Sequence, residues 1–324
     1  MKIVVLDSYA LNPGDLSWDW LECLGECEIY DRTPKEKILE RAENADIILT
    51  NKTPLTRETL SQLKNLKYIA LLSTGYNIAD IEYAGKMGVP VSNIPSYSTD
   101  AVAQLTFSLI LEITNGVGIH SASVKSGEWS RCPDFCYWKT PLTELQGKTL
   151  GIIGFGKIGQ RVADIAEAFK MNILAVSGHE TNQSSRKNFR WVDIDTLSAQ
   201  SDIITLHCPL TEKTEGLVNG KFIEKCKDGA IIINTSRGPV IDDKALAEAL
   251  NNGKLGGAGL DVLTTEPPSS DNPLLSAKNC FITPHIAWAG FETRERLMNI
   301  LRDNVEAFLR GEIKNAVNTE YLPH

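Results

Sequence analysis

The chain has 324 residues, 42% of them hydrophobic, which is enough for two globular domains with cores of their own and excludes a disordered chain. The 41 acidic and 33 basic residues give a formal charge of −8, which argues against general affinity for nucleic acid or an anionic bilayer. A small anionic substrate must therefore be held by a local cation. Seven scattered cysteines, an odd number, point to free thiols in the reducing cytoplasm. Cys23 with Cys27 and Cys132 with Cys136 share an x3 spacing, but neither pair has a second pair or a histidine at zinc-ligand spacing, so no metal is expected.

In chain order, MKIVVLD offers only four apolar residues before Asp7, too few for a signal-peptide core, and reads as a first strand. Apolar runs at 3–7, 46–50, 68–73 and 89–94 alternate with helical stretches. Their continuous hydrophobicity predicts strands covered on both faces, hence a small parallel α/β layer over 1–99. In such sheets ligands bind at the carboxyl ends of strands, where TNKTP (50–54) and STGYN (73–77) lie. Gly75 lets a backbone approach a ligand, and Ser73 and Thr74 supply hydroxyl and N–H donors; an ordinary capped turn is the competing reading.

Next, Ser98, Thr99 and Asp100 are candidate caps of a helix over 100–118. Leu105, Leu109 and Ile113 make one stripe, while Phe107, Ile110 and Leu111 populate other faces, so this helix is expected to be buried on several sides as the passage into a second domain, 100–287. The loop that follows carries Trp129, Phe135, Tyr137 and Trp138, which either anchor it to the body or protrude into a partner chain.

The stretch LGIIGFGKIGQRVADIAEAF (150–169) is a strand, a glycine turn and a helix in direct succession. Gly154 permits the sharp exit from the strand, Gly156 lets the backbone approach a diphosphate, and Gly159 allows close packing of helix on strand. Lys157 and Ile158 open the helix, whose N-terminus favours an anion. Ile158, Val162, Ile165, Ala166 and Phe169 share one face at helical spacing. Further strands are expected at 172–177, 202–209, 230–236, 256–262 and 280–285. These six make a doubly wound dinucleotide sheet. Helical stretches include one stopped by Gly253 and a long charged one at 290–311.

NAD-dependent sheets place an acid at the end of the second strand to accept the ribose hydroxyls. This chain has Ser177, then Gly178 and His179, with Glu180 late and Arg186 and Lys187 farther on. Loss of the acid removes repulsion against a 2′-phosphate, so the preference between NAD and NADP stays open.

Three later strand ends supply unlike charges: Arg237, Glu266 and His285. Ends of parallel strands share one edge, so these groups are expected to converge near the nicotinamide. Arg237 matches a carboxylate bidentately, His285 exchanges a proton with a carbonyl oxygen, and Glu266 orients the imidazole and favours its charged form. Singly, each has a bland reading, as a surface arginine, a loop carboxylate or a structural histidine. Jointly, behind a glycine motif, the catalytic reading prevails. His207 also lies at a strand end but without an evident carboxylate, and is expected to touch the cofactor. His120, His179 and His324 have no such setting.

The motifs STGYNIAD, GIIGFGKIG, LHCPLT, NTSRG, GLDV followed by EP, and TPHIA occur in one order along the whole chain. In that order they resemble the D-isomer-specific 2-hydroxyacid dehydrogenases, and STGYN, the YSTDAVAQLTF helix and the DFCYW loop are most similar to the branch acting on glycerate and hydroxypyruvate. The resemblance implies a Rossmann-type nucleotide domain at 100–287 and a smaller flavodoxin-like substrate domain formed by 1–99 with 288–324. It implies that Arg237, Glu266 and His285 are catalytic and that Thr74 and Gly75, with Arg237 and His285, bind substrate. Cofactor contacts are expected at the glycine turn, at Ser177 and at His207, Cys208 and Pro209. Others are expected at Thr235, Ser236, Arg237 and His285, with Asp261 on the nicotinamide carboxamide. A homodimer built on the helix at 100–118 and the aromatic loop is implied, with neither membrane nor nucleic acid as partner. The implied reaction is NAD(P)-dependent reduction of hydroxypyruvate to D-glycerate, with glyoxylate as a second substrate. D-lactate or 3-phosphoglycerate dehydrogenation is an alternative, the latter disfavoured because no further domain follows the final helix. A non-catalytic NAD(H)-sensing protein is the rival from another class.

Overall fold

A computed structural model describes residues 1–323; His324 lies outside the described residues. The chain forms two compact units, Met1–Tyr97 with Ala289–His324, and Ser98–Trp288.

In the first unit, β1 (Lys2–Val5), β2 (Glu26–Ile29), β3 (Ile47–Thr50), β4 (Tyr68–Leu71) and β5 (Val91–Ser92) form one sheet in the order β2-β1-β3-β4-β5. Every pairing is parallel, which is the flavodoxin-like arrangement. Val4, Ile48, Ile69 and Leu71 pack into a core with Ile38, Leu60 and Ala84. Tyr68 stacks on Phe308 of the helix Phe291–Leu309, centroids 4.4 Å apart. The sequence leads one to expect four strands, and the fifth is β2. Its Glu26 and Glu28 suit a sheet edge, where Glu28 pairs with Lys2 at 2.7 Å, but they hide it from a search for apolar runs. The opposite edge, β5, is closed by the segment after the last helix: Val317 N–H donates to Val91 O, and the buried Asn318 amide accepts from Val91 N–H and donates to Ile81 O and Val89 O.

The second unit holds β6 (Thr149–Ile153), β7 (Asn172–Val176), β8 (Phe189–Trp191), β9 (Ile203–Leu206), β10 (Ala230–Asn234), β11 (Leu255–Leu260) and β12 (Cys280–Ile282). Their order is β12-β11-β10-β9-β6-β7-β8, all parallel, so the direction of winding reverses between β6 and β9. Alternate residues serve two cores. Ile152, Ile173 and Ile203 meet Phe107, Val162 and Ala166 on one face; Ile204, Leu206 and Ile232 meet Leu197, Phe222 and Leu246 on the other. The unexpected seventh strand, β8, is three residues long, and its Phe189 and Trp191 pack on Phe155 at 5.0 and 5.1 Å.

Two helices differ from expectation. The helix expected over 100–118 is Thr99–Asn115, ended by Gly116 in the left-handed region and followed at a 56° bend by Val117–Lys125. Ser98 stands at its N-cap without a side-chain capping bond, while Asp100 pairs with Arg161 at 2.6 Å. The helix buries Val102, Ala103, Phe107, Leu109 and Ile110. It lies so close to β11 that a Cβ on Gly257 or Gly259 would come within 2.8 Å of Ile113 or Leu109. The helix Lys157–Ala168 buries Gly159, Val162, Ala163 and Ala166. Ile158 and Ile165 are only half-buried, and Phe169 leaves the core to stack on Phe107, so the inward face is rotated towards its small residues. Among the described residues no single helix is long and apolar enough to cross a membrane.

Candidate active site

The turn after β6 shows why each glycine is there. Gly154 has φ +93°, and a Cβ on it would lie 2.5 Å from Cys208 N; a Cβ on Gly159 would collide with Gly154 O. Gly156 differs: its backbone is extended, and an added Cβ would meet no protein atom within 4 Å. Folding alone gives no reason for glycine there, whereas a ligand lying on the turn does. Gly156 is the N-cap of the helix Lys157–Ala168 and offers no capping side chain, so the positive end of this helix suits an anion. These residues fit the diphosphate of a dinucleotide.

Other expected cofactor residues line the same carboxyl edge. Ser177 follows β7 and its Oγ accepts from His179 N–H at 3.3 Å. His207 follows β9, and both its ring nitrogens are buried without a hydrogen-bond partner among the described residues. Burial pushes its pKa down to about 3, which keeps the ring neutral and unsuited to exchange protons near pH 7. Cys208 is buried, with its thiol pushed up by desolvation, and Pro209 is exposed. Thr235 Oγ1 lies 3.0 Å from Thr106 Oγ1, tying the end of β10 to the helix beside it.

Arg237 sits in a turn that sequence reasoning credited to no one. The buried Asn234 donates from Nδ2 to Arg237 O at 2.9 Å and accepts at Oδ1 from Ser236 N–H and Ser236 Oγ, at 2.9 and 2.8 Å. The only signal was an amide at the end of the apolar run AIIIN. Arg237 is exposed, donates from Nη1 to Ser236 O at 2.7 Å, and has no carboxylate partner among the described residues. A Cβ on Gly238 would overlap Leu263 O, so this turn rests directly on the backbone that leads to Glu266.

Glu266 uses both oxygens: Oε1 accepts from Leu263 N–H at 3.2 Å, and Oε2 lies 2.6 Å from His285 Nδ1. A carboxylate at Nδ1 fixes the proton there and leaves Nε2 for a reacting atom. His285 has φ +54°, a left-handed conformation that costs a non-glycine residue about 1–2 kcal/mol. Asp261 imposes it. Its carbonyl accepts from His285 N–H at 2.8 Å, and its carboxylate accepts from Thr283 Oγ1, Ile286 N–H and Ala287 N–H at 2.6, 2.8 and 2.9 Å. Burial raises the pKa of that carboxyl, and these donors together with His285 oppose the rise. Arg237, Glu266 and His285 thus follow the adjacent strands β10, β11 and β12, as expected.

Thr74 and Gly75 belong to the first unit. Ser73 Oγ donates to Gly75 O at 2.7 Å, Thr74 Oγ1 to Ile94 O at 2.6 Å and Asn93 Nδ2 to Thr74 O at 2.7 Å. Hydroxyls and carbonyls are thereby spent on the turn, while the N–H groups of Thr74 and Gly75 have no acceptor among the described residues. All seven cysteines are free thiols, and among the described residues no three His, Cys, Asp or Glu side chains gather as a metal-ligand set.

A doubly wound sheet with a diphosphate cradle at its switch point, and an arginine and a carboxylate-bound histidine on the same edge, defines a dinucleotide-dependent dehydrogenase. Comparison with known proteins narrows the class. Residues 107–287 match the family described as D-isomer specific 2-hydroxyacid dehydrogenase, NAD binding domain. The chain is 51% identical over 321 residues to a hydroxypyruvate reductase of Blautia hydrogenotrophica, covering 98% of this chain and 100% of that one. It is similar to the solved D-lactate dehydrogenase of Aquifex aeolicus complexed with NAD and lactic acid, at TM-score 0.84 and 30% identity over 98% of this chain and 99% of that one. It is also similar to an acyclic imino acid reductase in complex with NADPH and D-Arg, at TM-score 0.85 and 32% identity over 98% and 100%. The chain belongs to the D-isomer-specific 2-hydroxyacid dehydrogenase family.

Proposed function

We propose that this enzyme reduces hydroxypyruvate to D-glycerate, and glyoxylate to glycolate, with a reduced nicotinamide dinucleotide held on the Gly154–Gly159 cradle. The observation that carries the reading is the 2.6 Å Glu266–His285 pair at the end of β12, two strands from an Arg237 without a carboxylate partner among the described residues. When bound, the reduced nicotinamide would supply the hydride for the substrate C2. Arg237 grips the carboxylate with its planar fork and draws electron density from the carbonyl. The N–H groups of Thr74 and Gly75, which have no acceptor among the described residues, are assigned to substrate binding by the first unit. Glu266 stabilises the charged imidazolium before transfer, His285 Nε2 gives its proton to the carbonyl oxygen, and the neutral ring keeps its Nδ1 proton on Glu266 until solvent reprotonates Nε2. In the reverse direction His285 removes the hydroxyl proton. Asp261 keeps the histidine in its turn, and its carboxylate is assigned to the carboxamide as well.

The test is a panel of 2-oxo acids assayed with NADH and with NADPH. Hydroxypyruvate should show the highest kcat/KM, followed by glyoxylate; a clear preference for pyruvate, or for 3-phosphoglycerate in the oxidative direction, would replace this substrate assignment. Tight dinucleotide binding without turnover of any 2-oxo acid would favour a sensor.

We place the enzyme in the cytoplasm, consistent with seven free thiols, and assign it a homodimer. The expected interface shifts along the chain. The helix Thr99–Asn115 is largely buried within its own unit, whereas Val117, Ile119 and Val124 on the next helix, and Trp129, Phe135 and Trp138 on the loop, are exposed, the last two at 88 and 68%. Tyr137 is tied to the helix, its hydroxyl 2.5 Å from Ser123 Oγ, while Trp129 Nε1–H donates within the loop to Phe135 O at 3.0 Å. So large an exposed apolar surface marks an interface. Sedimentation should give a dimer that Phe135→Asp with Trp138→Asp converts to monomer; a monomeric parent protein would refute it.

A further inference from the structure

The segment 177–187 follows β7, where a doubly wound sheet distinguishes the two dinucleotides at the 2′ position of the ribose. It carries three bases, His179, Arg186 and Lys187, and the sequence offers the last two as cations for a 2′-phosphate. The structure engages Arg186 elsewhere and places Lys187 at the far end of the strands. Arg186 donates from Nη1 to Glu167 Oε2 at 2.5 Å, from Nη2 to Asp164 Oδ1 and to Gln160 O at 3.3 Å, and from Nε to Gln183 Oε1 at 3.0 Å. Gln160, Asp164 and Glu167 stand at i, i+4 and i+7, so the guanidinium lies along two turns of the helix Lys157–Ala168, whose first turn is the diphosphate cradle. Only 12% of the Arg186 side chain remains exposed. Lys187 faces a cleft of about 490 Å³ lined by Thr149 and Asn172, the first residues of β6 and β7, at the edge of the sheet opposite the cradle. A second tie, Trp191 Nε1–H to Thr181 O at 3.2 Å, holds the middle of the segment.

We infer that Arg186 is a clasp rather than a cofactor ligand: it fastens the loop after β7 to the dinucleotide helix, leaves the 2′ position without a guanidinium, and biases the site towards NAD(H). The inference rests on the dinucleotide reading of the glycine turn. A 2′-phosphate carrying roughly −1.5 to −2 charges would need a cation to offset its lost hydration. Withdrawing Arg186 to serve it would break charge-assisted bonds to two carboxylates, leaving Asp164 with the longer 3.6 Å pair to Arg161 and Glu167 with no cation partner among the described residues. The missing acid at Ser177 lifts a repulsion, but it provides no attraction.

The test is equilibrium binding of NADH and NADPH to the full chain, followed by nicotinamide fluorescence without substrate, alongside limited proteolysis of the loop. The parent protein should bind NADH at least about fivefold more tightly than NADPH. Arg186→Ala should weaken both by a common factor of about three to ten and speed cleavage within 178–187. Equal or tighter binding of NADPH by the parent protein, or a loss confined to NADPH in the variant, would overturn the inference. If Arg186→Ala does not fold, Asp164→Asn with Glu167→Gln opens the clasp with the arginine in place; unchanged affinities and unchanged cleavage there would overturn it equally. Failure of either dinucleotide to bind the parent protein would instead overturn the reading of the cradle itself.

Discussion

Replacing His285 with alanine should lower kcat for 2-oxo acid reduction by about 10²–10⁴, with affinity for the dinucleotide nearly intact. The imidazole is the proton carrier in the proposed reaction, and among the described residues its ring bonds to Glu266 alone. The backbone bond from His285 N–H to Asp261 O does not depend on the side chain and is available to alanine, so the turn itself should persist. Alanine is disfavoured at φ +54°, however, and part of a loss could come from a relaxed loop. Asparagine tolerates the left-handed region, so His285→Asn separates the causes: it too should lose turnover, with thermal stability close to that of the parent protein. Undiminished reduction of hydroxypyruvate by both variants would remove His285 from the mechanism.

The second large effect is expected at Gly156. The Cβ of a valine there has no protein atom within 4 Å, and the extended backbone accepts a side chain, so the melting temperature should hardly move. The side chain would instead occupy the approach to the diphosphate and lift it from the helix N-terminus. A loss of roughly 3 kcal/mol corresponds to about a hundredfold weaker dinucleotide binding. Gly159→Ala makes the contrast, because its Cβ collides with Gly154 O and should lower stability first. A Gly156→Val enzyme that keeps parental dinucleotide affinity would show that the diphosphate lies elsewhere.

The parts of this structure legible in the sequence are those where burial is two-sided. Strands such as β3, β4 and β9 are fully buried and read as unbroken apolar runs. Two of the four edge strands do not: β2 is interrupted by Glu26 and Glu28, and β8 is three residues long with Arg190 at its centre, so neither offers an apolar run. Runs taken as strand, such as 202–209 and 280–285, stop at Leu206 and Ile282, because the residues beyond turn away to carry His207 and His285. Long-range partners were invisible for a different reason. Nothing local to Arg186 announces Asp164 and Glu167, and nothing near Asp261 announces that its carboxylate shapes a turn some twenty residues on. Asn234 and Gly238 are similar: their tasks exist only once β10 and β11 lie side by side.

The split composition of the first unit bears on how the chain matures. Its five strands leave the ribosome early, but the helix that brings Phe308 onto Tyr68, and the stretch that seals β5, come after all of residues 98–288. At about 5–20 residues per second, a half-finished layer waits roughly 10–40 s with one greasy side bare and an edge open to strangers. Nascent protein arrested before Ala289 should therefore be a customer for chaperones, and one released past Asn318 should not.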